Sequence, residues 1–259
     1  MFWCMLQAIV SDHPSAETLA SPVLVVGMHN SGTSILAEIL NEHGLFLGVD
    51  GAHHENRFFR NEVNEGLVMG ADDSWARLPL LDVDRILGQE AVVREHLERH
   101  FLDRYRACGW NGRSPWGFKD PRTCVLLPLY LEIFPGARIL HIVRDPDDVA
   151  ASLAHKPKRG VGVLRDAGHW RRLALAYTGR VRESANRYPH PRLEISYEAM
   201  CTDPAAVLSP VFEFVGLPFD EAARAFALRR LERSRIGSAR RSALGWGIEA
   251  IRKAFLGRS

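Results

Sequence analysis

Short runs of consecutive apolar residues alternate along the chain with longer segments in which apolar residues recur at helical spacing. The run R-I-L-H-I-V at 138–143 is typical of a buried strand, whereas 84–107 and 167–187 each carry one apolar stripe. The predicted strands are 22–27, 116–119, 138–143 and 193–196. The main predicted helices are 33–43, 84–107, 126–134, 147–154 and 167–187, and a loop entering a short helix is predicted at 53–67. This alternation predicts an α/β fold with a mainly parallel central sheet and helices on both faces.

Glycine, proline and aspartate mark the predicted ends of several helices. Gly44 is placed to end the first helix in a left-handed conformation. Asp203 followed by Pro204 is typical of a helix start, because aspartate caps free N–H groups and proline lacks one. Asp220 is placed to cap the helix that follows.

One glycine-containing segment joins the first predicted strand to the first predicted helix. The apolar run P-V-L-V-V is followed by G-M-H-N-S-G-T-S, in which two glycines and three hydroxyl side chains precede the helix. Main-chain N–H groups of such a loop form an anion site together with the positive end of the helix. The pattern therefore predicts a P-loop-type fold with an anion held by His29, Asn30, Ser31, Gly32, Thr33 and Ser34.

The loop departs from the ATP-binding P-loop pattern at one position. In G-x-x-x-x-G-K-[ST] a lysine follows the second glycine, and its ammonium group reaches the outer phosphates. Here Thr33 follows Gly32, and the loop contains neither lysine nor arginine. The loop is therefore predicted to bind an anion other than a magnesium-bound triphosphate, although such turns also occur without a ligand.

Composition narrows the possible classes of protein. The 259-residue chain is 46% apolar and 25% charged, and its net charge of +2 is too small to predict general nucleic-acid binding. Four scattered cysteines lack metal-ligand spacing and indicate a reducing cytoplasm. The apolar start of the chain is too short to span a membrane. We expect an N-terminal lead-in at 1–20, one domain at 21–259, a cytoplasmic location and no integral membrane segment.

Six segments follow one another in a characteristic order. They are V-V-G-M-H-N-S-G-T-S, H-E-N-R-F-F-R-N-E-V-N-E, W-G-F-K-D-P-R, R-I-L-H-I-V-R-D-P-D-D-V-A-A-S-L, L-E-I-S-Y-E-A-M-C-T-D-P and a late R-I-G. Together they resemble the sulfotransferase family that uses 3′-phosphoadenylyl sulfate (PAPS) as donor, over most of the chain. The resemblance implies PAPS as cofactor, 3′-phosphoadenosine 5′-phosphate (PAP) as product, and no required metal. It also implies transfer of a sulfuryl group to a hydroxyl or amine of a small metabolite, lipid or carbohydrate.

The resemblance further implies two phosphate subsites. The loop would hold the sulfated 5′-phosphate, and the residues around the 3′-phosphate would be Arg144, Ser152, Tyr197, Arg235 and Gly237. Arg144 follows a predicted strand, and a guanidinium group can grip phosphate with two parallel hydrogen bonds. Two alternatives stay open: a salt bridge from Arg144 to Asp145 or Asp147, and a core position for the Tyr197 ring.

Sulfuryl transfer to a hydroxyl needs a base and a cation near the transferred group. By resemblance Glu55 is the expected base, His54 is second, and Glu62 is a further candidate. Lys119, at the end of a predicted strand, is the expected charge stabiliser. Acidic residues are also common in the first turn of a helix, so both glutamates have a purely structural alternative.

Residues around this predicted site leave further alternatives open. Many family members carry lysine or arginine at the position of Asn30, so charge stabilisation is expected to fall on Lys119 and main-chain amides, or activity is reduced or lost. A small-molecule kinase and a non-catalytic PAP- or PAPS-binding homologue are the alternative functions. Asp120 and Arg122 are expected to pair at a turn, or Arg122 binds an acidic acceptor.

The acceptor is the least determined part of the prediction. Four aromatic side chains are candidates either for an apolar acceptor pocket or for the core, namely Phe58, Phe59, Trp75 and Trp170. The basic loop 155–166 is a candidate lid. The arginines at 224–241 form either a local phosphate patch or a solvated helix face. A membrane-surface role is a further alternative for the basic helix predicted at 244–256, and a homodimer is an open alternative.

Overall fold

Four parallel strands form the sheet in the computed structural model, which describes residues 15–70, 74–154 and 166–231. The strands are β1 (Val23–Val26), β2 (Gly117–Lys119), β3 (Arg138–Val143) and β4 (Arg192–Ser196). Their order across the sheet is β2-β1-β3-β4, with Val25 opposite Lys119 and Val26 opposite His141. The mainly parallel sheet predicted from the apolar runs is confirmed, and the carboxyl ends of β1, β2 and β3 meet at one edge.

Ten α-helices and one π-helix connect and cover these strands in the described part of the chain. They are α1 (Ala16–Ala20), α2 (Thr33–Glu42), the π-helix (Phe58–Met69), α3 (Val83–Leu87), α4 (Glu90–Ala107), α5 (Thr123–Ile133), α6 (Pro146–Ala154), α7 (Ala167–Arg187), α8 (Tyr197–Thr202), α9 (Pro204–Val215) and α10 (Glu221–Arg230). Two short 3₁₀ turns lie at Ala52–His54 and Ser74–Ala76.

Two apolar cores lie on opposite faces of the sheet. Leu24 and Val26 of β1 point into the core formed with the π-helix, α4, α5 and α7. Val23 and Val25 point the other way, into the core formed with α2, α8, α9 and α10. This alternation along β1 is the period of a strand, and it confirms the predicted helix layers on both faces.

The predicted helix ends are confirmed. Gly44 and Gly216 adopt positive φ angles of 109° and 77° just beyond α2 and α9. The Asp203 carboxylate accepts a hydrogen bond from Ala206 N at 3.1 Å, and the Asp220 carboxylate accepts one from Ala223 N at 2.9 Å. Each contact pairs a main-chain group that the helix itself leaves unpaired.

Two predicted helix boundaries were wrong. The single helix expected at 84–107 is divided at Gly88–Gln89 into α3 and α4, because Gln89 N donates to the Ile86 carbonyl, three residues back, at 3.1 Å and so leaves the four-residue spacing of an α-helix. The start of α5 was placed at 126 because proline is tolerated in the first turn. In the structure α5 begins at Thr123, following the turn at Asp120, and Pro128 lies inside it.

The segment after the first helix contains a π-helix where the sequence predicted a short helix. Its winding is seen at its end, where Gly70 N donates to the carbonyl of Glu65, five residues back, at 2.8 Å. Phe58 and Phe59 lie in the core beneath it. π-Helices are rare and are frequently found at functional sites.

Several sequence predictions fall outside the described residues. They concern most of the lead-in, the candidate lid 155–166 apart from its last residue, the R-I-G segment with Arg235 and Gly237, and the last basic helix. Among the helices that are described, none is both long and apolar enough to cross a membrane.

Candidate active site

The glycine-containing loop lies at the carboxyl end of β1, between Val26 and the start of α2. Gly27 passes so close to β3 that a Cβ atom there would lie 2.5 Å from the Ile142 carbonyl oxygen. Gly32 has a φ of 102° and stands at the N-cap of α2, where no described side chain caps the helix. The free N–H groups at this helix start are the donors that an anion requires.

Ser31 provides a test of whether the loop suits an oxyanion. Its side chain is 1% exposed, and among the described residues its Oγ has no hydrogen-bond partner. Leaving a buried hydroxyl unpaired costs about 1–3 kcal/mol. Thr33, also buried, and the half-buried Ser34 begin the helix beside it. The loop therefore fits a phosphate or sulfate group, which would accept from these donors.

Arg144 and Ser152 converge on the loop at Asn30. The Arg144 guanidinium donates from Nη1 to the Asn30 carbonyl at 3.1 Å, and Asn30 Nδ2 donates to Ser152 Oγ at 3.1 Å. Asn30 itself has a φ of 65°, which is uncommon for a residue with a side chain. The structure thus brings together residues predicted for two different phosphate subsites. The loop residues 27–34, Arg144 and Ser152 are called the loop cluster below.

The acidic partner of Arg144 differs from both predicted alternatives. Its Nη2 atom lies 3.5 Å from the buried carboxylate of Asp148, in the first turn of α6. Asp145 N donates instead to Glu198 at 2.9 Å, and Asp147 pairs with Arg171 at 2.9 Å.

Tyr197 occupies the core position that the sequence left open. Its side chain is 2% exposed, and a Cβ atom on Gly32 would lie 2.3 Å from its ring. The Arg144 guanidinium carbon lies 4.9 Å from the centre of the same ring, within the range of a cation–π contact. The ring therefore supports two residues of the loop cluster.

His29 points from the loop into an aromatic wall. Its ring stacks on Trp75 with centroids 4.1 Å apart, and Trp75 in turn stacks on Trp170 at 5.9 Å. Because its ring packs in this wall, an anion would meet the main chain of His29. Phe58, Phe59 and Trp170 are all buried in the core, which is the second of the two alternatives given for them, a core position and not the lining of an acceptor pocket.

Lys119, Glu55 and Arg60 form a second charged group, called the lysine cluster below. Lys119 Nζ donates to Glu55 Oε1 at 3.0 Å and to the His53 carbonyl at 2.8 Å, and its side chain is 1% exposed. Arg60 Nη1 lies 3.3 Å from Glu55 Oε2. Burial lowers the pKa of Lys119, and the Glu55 carboxylate opposes this shift. The predicted base and the predicted charge stabiliser are thus directly paired.

The other two candidate bases point elsewhere. His54 Nε2 lies 3.7 Å from Glu38 on α2, and Glu38 also pairs with Arg230 at 2.5 Å. Glu62 lies on the π-helix between Arg104 at 3.1 Å and His96 at 3.3 Å, both on α4. Within the described part of the chain, neither side chain forms a hydrogen bond or ion pair with Lys119.

Asp120 and Arg122 belong to a buried polar network. Arg122 Nη1 lies 3.1 Å from Asp120 and Nη2 lies 2.5 Å from Glu65, while Asn64 Nδ2 donates to Asp120 at 2.7 Å. Tyr130 completes the network by donating to Asn64. The structure has the predicted pairing of Arg122 with Asp120. Sequence reasoning missed Asn64, Glu65 and Arg60, although polar residues at inward positions of an apolar stripe were a visible signal.

Potential metal ligands do not gather at this edge of the sheet. In the described ranges, no group of three or more His, Cys, Asp or Glu side chains has a geometry that could hold a metal ion.

Comparison with known proteins defines the family. A profile of the sulfotransferase family matches residues 22–221, which includes every described residue of both clusters. This protein belongs to the sulfotransferase family.

Individual relatives are distant. A sulfotransferase from Alicyclobacillus acidocaldarius shares 16% identity with a TM-score of 0.50, covering 84% of this chain and 94% of its own. A mouse sulfotransferase complexed with PAP shares 18% identity with a TM-score of 0.49, covering 85% and 67%. An uncharacterized protein of Aquifex aeolicus (strain VF5) is 24% identical over 223 residues, 81% of this chain. The matched region covers 26% of the length of this curated relative.

Proposed function

We propose that this protein transfers a sulfuryl group from PAPS to a hydroxyl or amine of a small metabolite, lipid or carbohydrate. The observation that carries the proposal is the convergence of Arg144 and Ser152 on Asn30, beside the buried hydroxyl of Ser31. One anion site is built from main-chain and hydroxyl groups, and the other from a guanidinium. Two such sites suit a donor that carries separate 5′- and 3′-phosphates.

The loop cluster would hold the donor. Main-chain N–H groups at the start of α2, with the hydroxyls of Ser31, Thr33 and Ser34, bind the 5′ end. Arg144 and Ser152, each now in contact with Asn30, turn to the 3′-phosphate. Arg235 and Gly237 remain proposed members of this subsite. PAPS supplies an activated sulfuryl group when it is bound.

The lysine cluster would activate the acceptor. Glu55 takes the proton of the acceptor hydroxyl, and Lys119 balances negative charge on the transferred group. Both oxygens of Glu55 already face a cation, at 3.0 Å and 3.3 Å. A carboxylate has about four lone-pair positions, so each oxygen keeps one for a proton. His54, held near Glu38, is the second candidate base.

Nucleotide binding tests the donor proposal. PAP should raise the melting temperature, by the equivalent of about 2.7 kcal/mol at a hundredfold excess over its Kd. Mg·ATP should have little effect, because the loop has no lysine for the outer phosphates. Stabilisation by Mg·ATP and not by PAP would favour a kinase and reject the proposal.

Catalysis is tested by an acceptor screen that detects sulfate addition by mass spectrometry. Glu55→Gln should lose turnover by a factor of about 10²–10⁴, the usual contribution of a general base, while PAP binding is kept. Glu62→Gln is the matched control, because Glu62 pairs with α4 and should leave turnover unchanged. Equal turnover in wild type and Glu55→Gln would exclude Glu55 as the base.

A non-catalytic PAP-binding protein is the second candidate function. It is favoured by Asn30, an uncharged residue whose amide is engaged by Ser152 within the loop cluster. Tight PAP binding without transfer to any acceptor, together with no gain of activity in Asn30→Lys, would support this candidate.

A further inference from the structure

Arg60 is the outer member of the lysine cluster and lies on the first turn of the π-helix. Its guanidinium lies beside Glu55, with Nη1 at 3.3 Å from Oε2, and its side chain is 33% exposed. Lys119 lies on the other side of the same carboxylate and is buried. Arg60 is therefore the cation through which the cluster meets solvent.

Arg60 shares its carboxylate partner with a second cation. Glu55 lies between Arg60 and Lys119, and the neighbouring acids Asp120 and Glu65 are paired with Arg122. Asp120 also raises the pKa of Lys119, against the larger lowering effect of burial. Arg60 is the member of the cluster that faces solvent, and a cation in that position attracts an anion.

The hydrogen bonds of Arg60 are also incomplete. Its Nε atom is buried, and among the described residues it has no hydrogen-bond partner. Other partly buried arginines direct their guanidinium groups to main-chain carbonyls, as Arg138 does to Phe214 and Arg180 does to Leu81. Buried N–H groups without a partner are rare in native proteins, and a guanidinium with an unpaired N–H is suited to an oxyanion.

We propose that Arg60 binds a substrate oxyanion above Glu55. The inference rests on the proposed function and deepens it by assigning a binding role on the acceptor side of the site. The oxyanion has two possible sources, which share the same chemistry. It is either the sulfuryl group of the donor, for which the loop offers no cation at Asn30, or a carboxylate, phosphate or sulfate carried by the acceptor.

Inorganic sulfate, titrated by calorimetry into the protein saturated with PAP, is a probe for this site. Arg60→Gln should weaken sulfate binding by about ten- to a hundredfold, the usual value for hydrogen bonds to a charged group. Arg60→Lys, which keeps a charge opposite Glu55 but loses the planar guanidinium, should recover only part of the affinity. Arg57→Gln is the matched control, because Arg57 is exposed on the same segment and should not alter sulfate binding.

The same titration with PAPS in place of PAP separates the two sources. Loss of the sulfate site when PAPS is bound assigns Arg60 to the donor's sulfuryl group, and sulfate binding that persists assigns it to an anionic acceptor. Equal sulfate affinity in wild type and Arg60→Gln, or no sulfate binding in either, overturns the inference. Unchanged PAP affinity in Arg60→Gln shows that the variant is folded.

Failure of the proposed function gives a different result. A wild-type protein that binds no PAP contradicts the proposed function, and the sulfate titration into the nucleotide-free protein still tests Arg60 by the same comparison of variants.

Discussion

The loop cluster and the lysine cluster lie at the ends of neighbouring parallel strands but are stabilised differently. In the loop cluster, Arg144 pairs with Asp148 outside the loop, but its contact with the loop itself is to the Asn30 carbonyl, and the Asn30 amide donates to a hydroxyl. The contacts that hold the loop are therefore made by main-chain or neutral groups. In the lysine cluster, a buried ammonium and a buried carboxylate face each other. Buried charges depend strongly on each other, whereas neutral hydrogen bonds are worth little individually. The two regions should therefore respond very differently to substitution.

Breaking the charge pair should have the largest effect. Lys119→Met leaves Glu55 buried with only Arg60 nearby, so we expect a loss of roughly 3 kcal/mol in the free energy of unfolding, measured with urea. The double variant Lys119→Met/Glu55→Gln should regain at least half of this loss. Arg99→Met, which breaks an exposed pair with Glu95 on α4, is the control and should cost under about 0.5 kcal/mol. A double variant as unstable as the single one would contradict this account.

Low pH should destabilise the protein through His141 in β3, the strand that ends just before Arg144 of the loop cluster. His141 in this strand is 3% exposed, and burial lowers its pKa to about 4, although Glu194 lies 3.0 Å from its Nδ1 atom. Between about pH 6.5 and pH 4 the unfolded chain therefore binds more protons than the folded chain. Stability should fall as the pH falls through this range, by roughly 3 kcal/mol in total.

Urea unfolding at pH 7, 6 and 5 would measure how steeply the free energy of unfolding falls with pH. The variant His141→Gln should show a smaller fall. Glu194 does not confound the comparison above pH 5, because its hydrogen bond with Arg182 lowers its pKa below the usual value. An identical slope in wild type and variant would show that another group titrates.

Substituting Tyr197, whose ring packs against the loop cluster, should have a smaller effect, on PAP affinity. Tyr197→Leu removes the ring that packs on Gly32 and faces Arg144, so PAP should bind about tenfold more weakly, as expected for a lost cation–π contact. Tyr197→Phe keeps the ring and should bind PAP within about twofold of wild type. If Phe and Leu weaken binding equally in calorimetry, the hydroxyl and not the ring is what matters.

The smallest effect concerns the contact between Asn30 and Ser152. A double-mutant cycle of Asn30→Ala and Ser152→Ala should give a coupling of about 0.5–1.5 kcal/mol in unfolding free energy. With saturating PAP the coupling should disappear, because Ser152 then faces the 3′-phosphate. A coupling that is the same with and without PAP would place Ser152 outside the donor site.

The two clusters also differ in how far the sequence predicted them. The loop was predictable because its strand, glycines and helix are contiguous, and Arg144 joins it because parallel strands end at one edge. The partnership of Lys119 with Glu55 joins residues 64 positions apart and could not be derived from local pattern. Arg60 was missed because its position depends on π-helical winding, where the sequence predicted an ordinary short helix.

Errors in the predicted elements had the same origin. The apolar stripe at 84–107 is continuous through Gly88, so only the three-residue hydrogen bond from Gln89 N to the Ile86 carbonyl reveals the break. The packing of Tyr197 on Gly32 likewise depends on how β4 and α8 meet the loop, which periodicity does not encode.

The network of Asn64, Glu65, Asp120, Arg122 and Tyr130 fastens the π-helix to the end of β2. Because the network holds the π-helix at two successive positions, Asn64 and Glu65, we expect the backbone of the π-helix to be rigid there. At the acceptor side of the site proposed above, residues of the π-helix near Arg60 would then be the ones to exchange in order to change acceptor preference, while Asn64 and Glu65 are left in place. Because these contacts fix the backbone of the π-helix, side chains on its outer face can be exchanged without changing the path of the backbone.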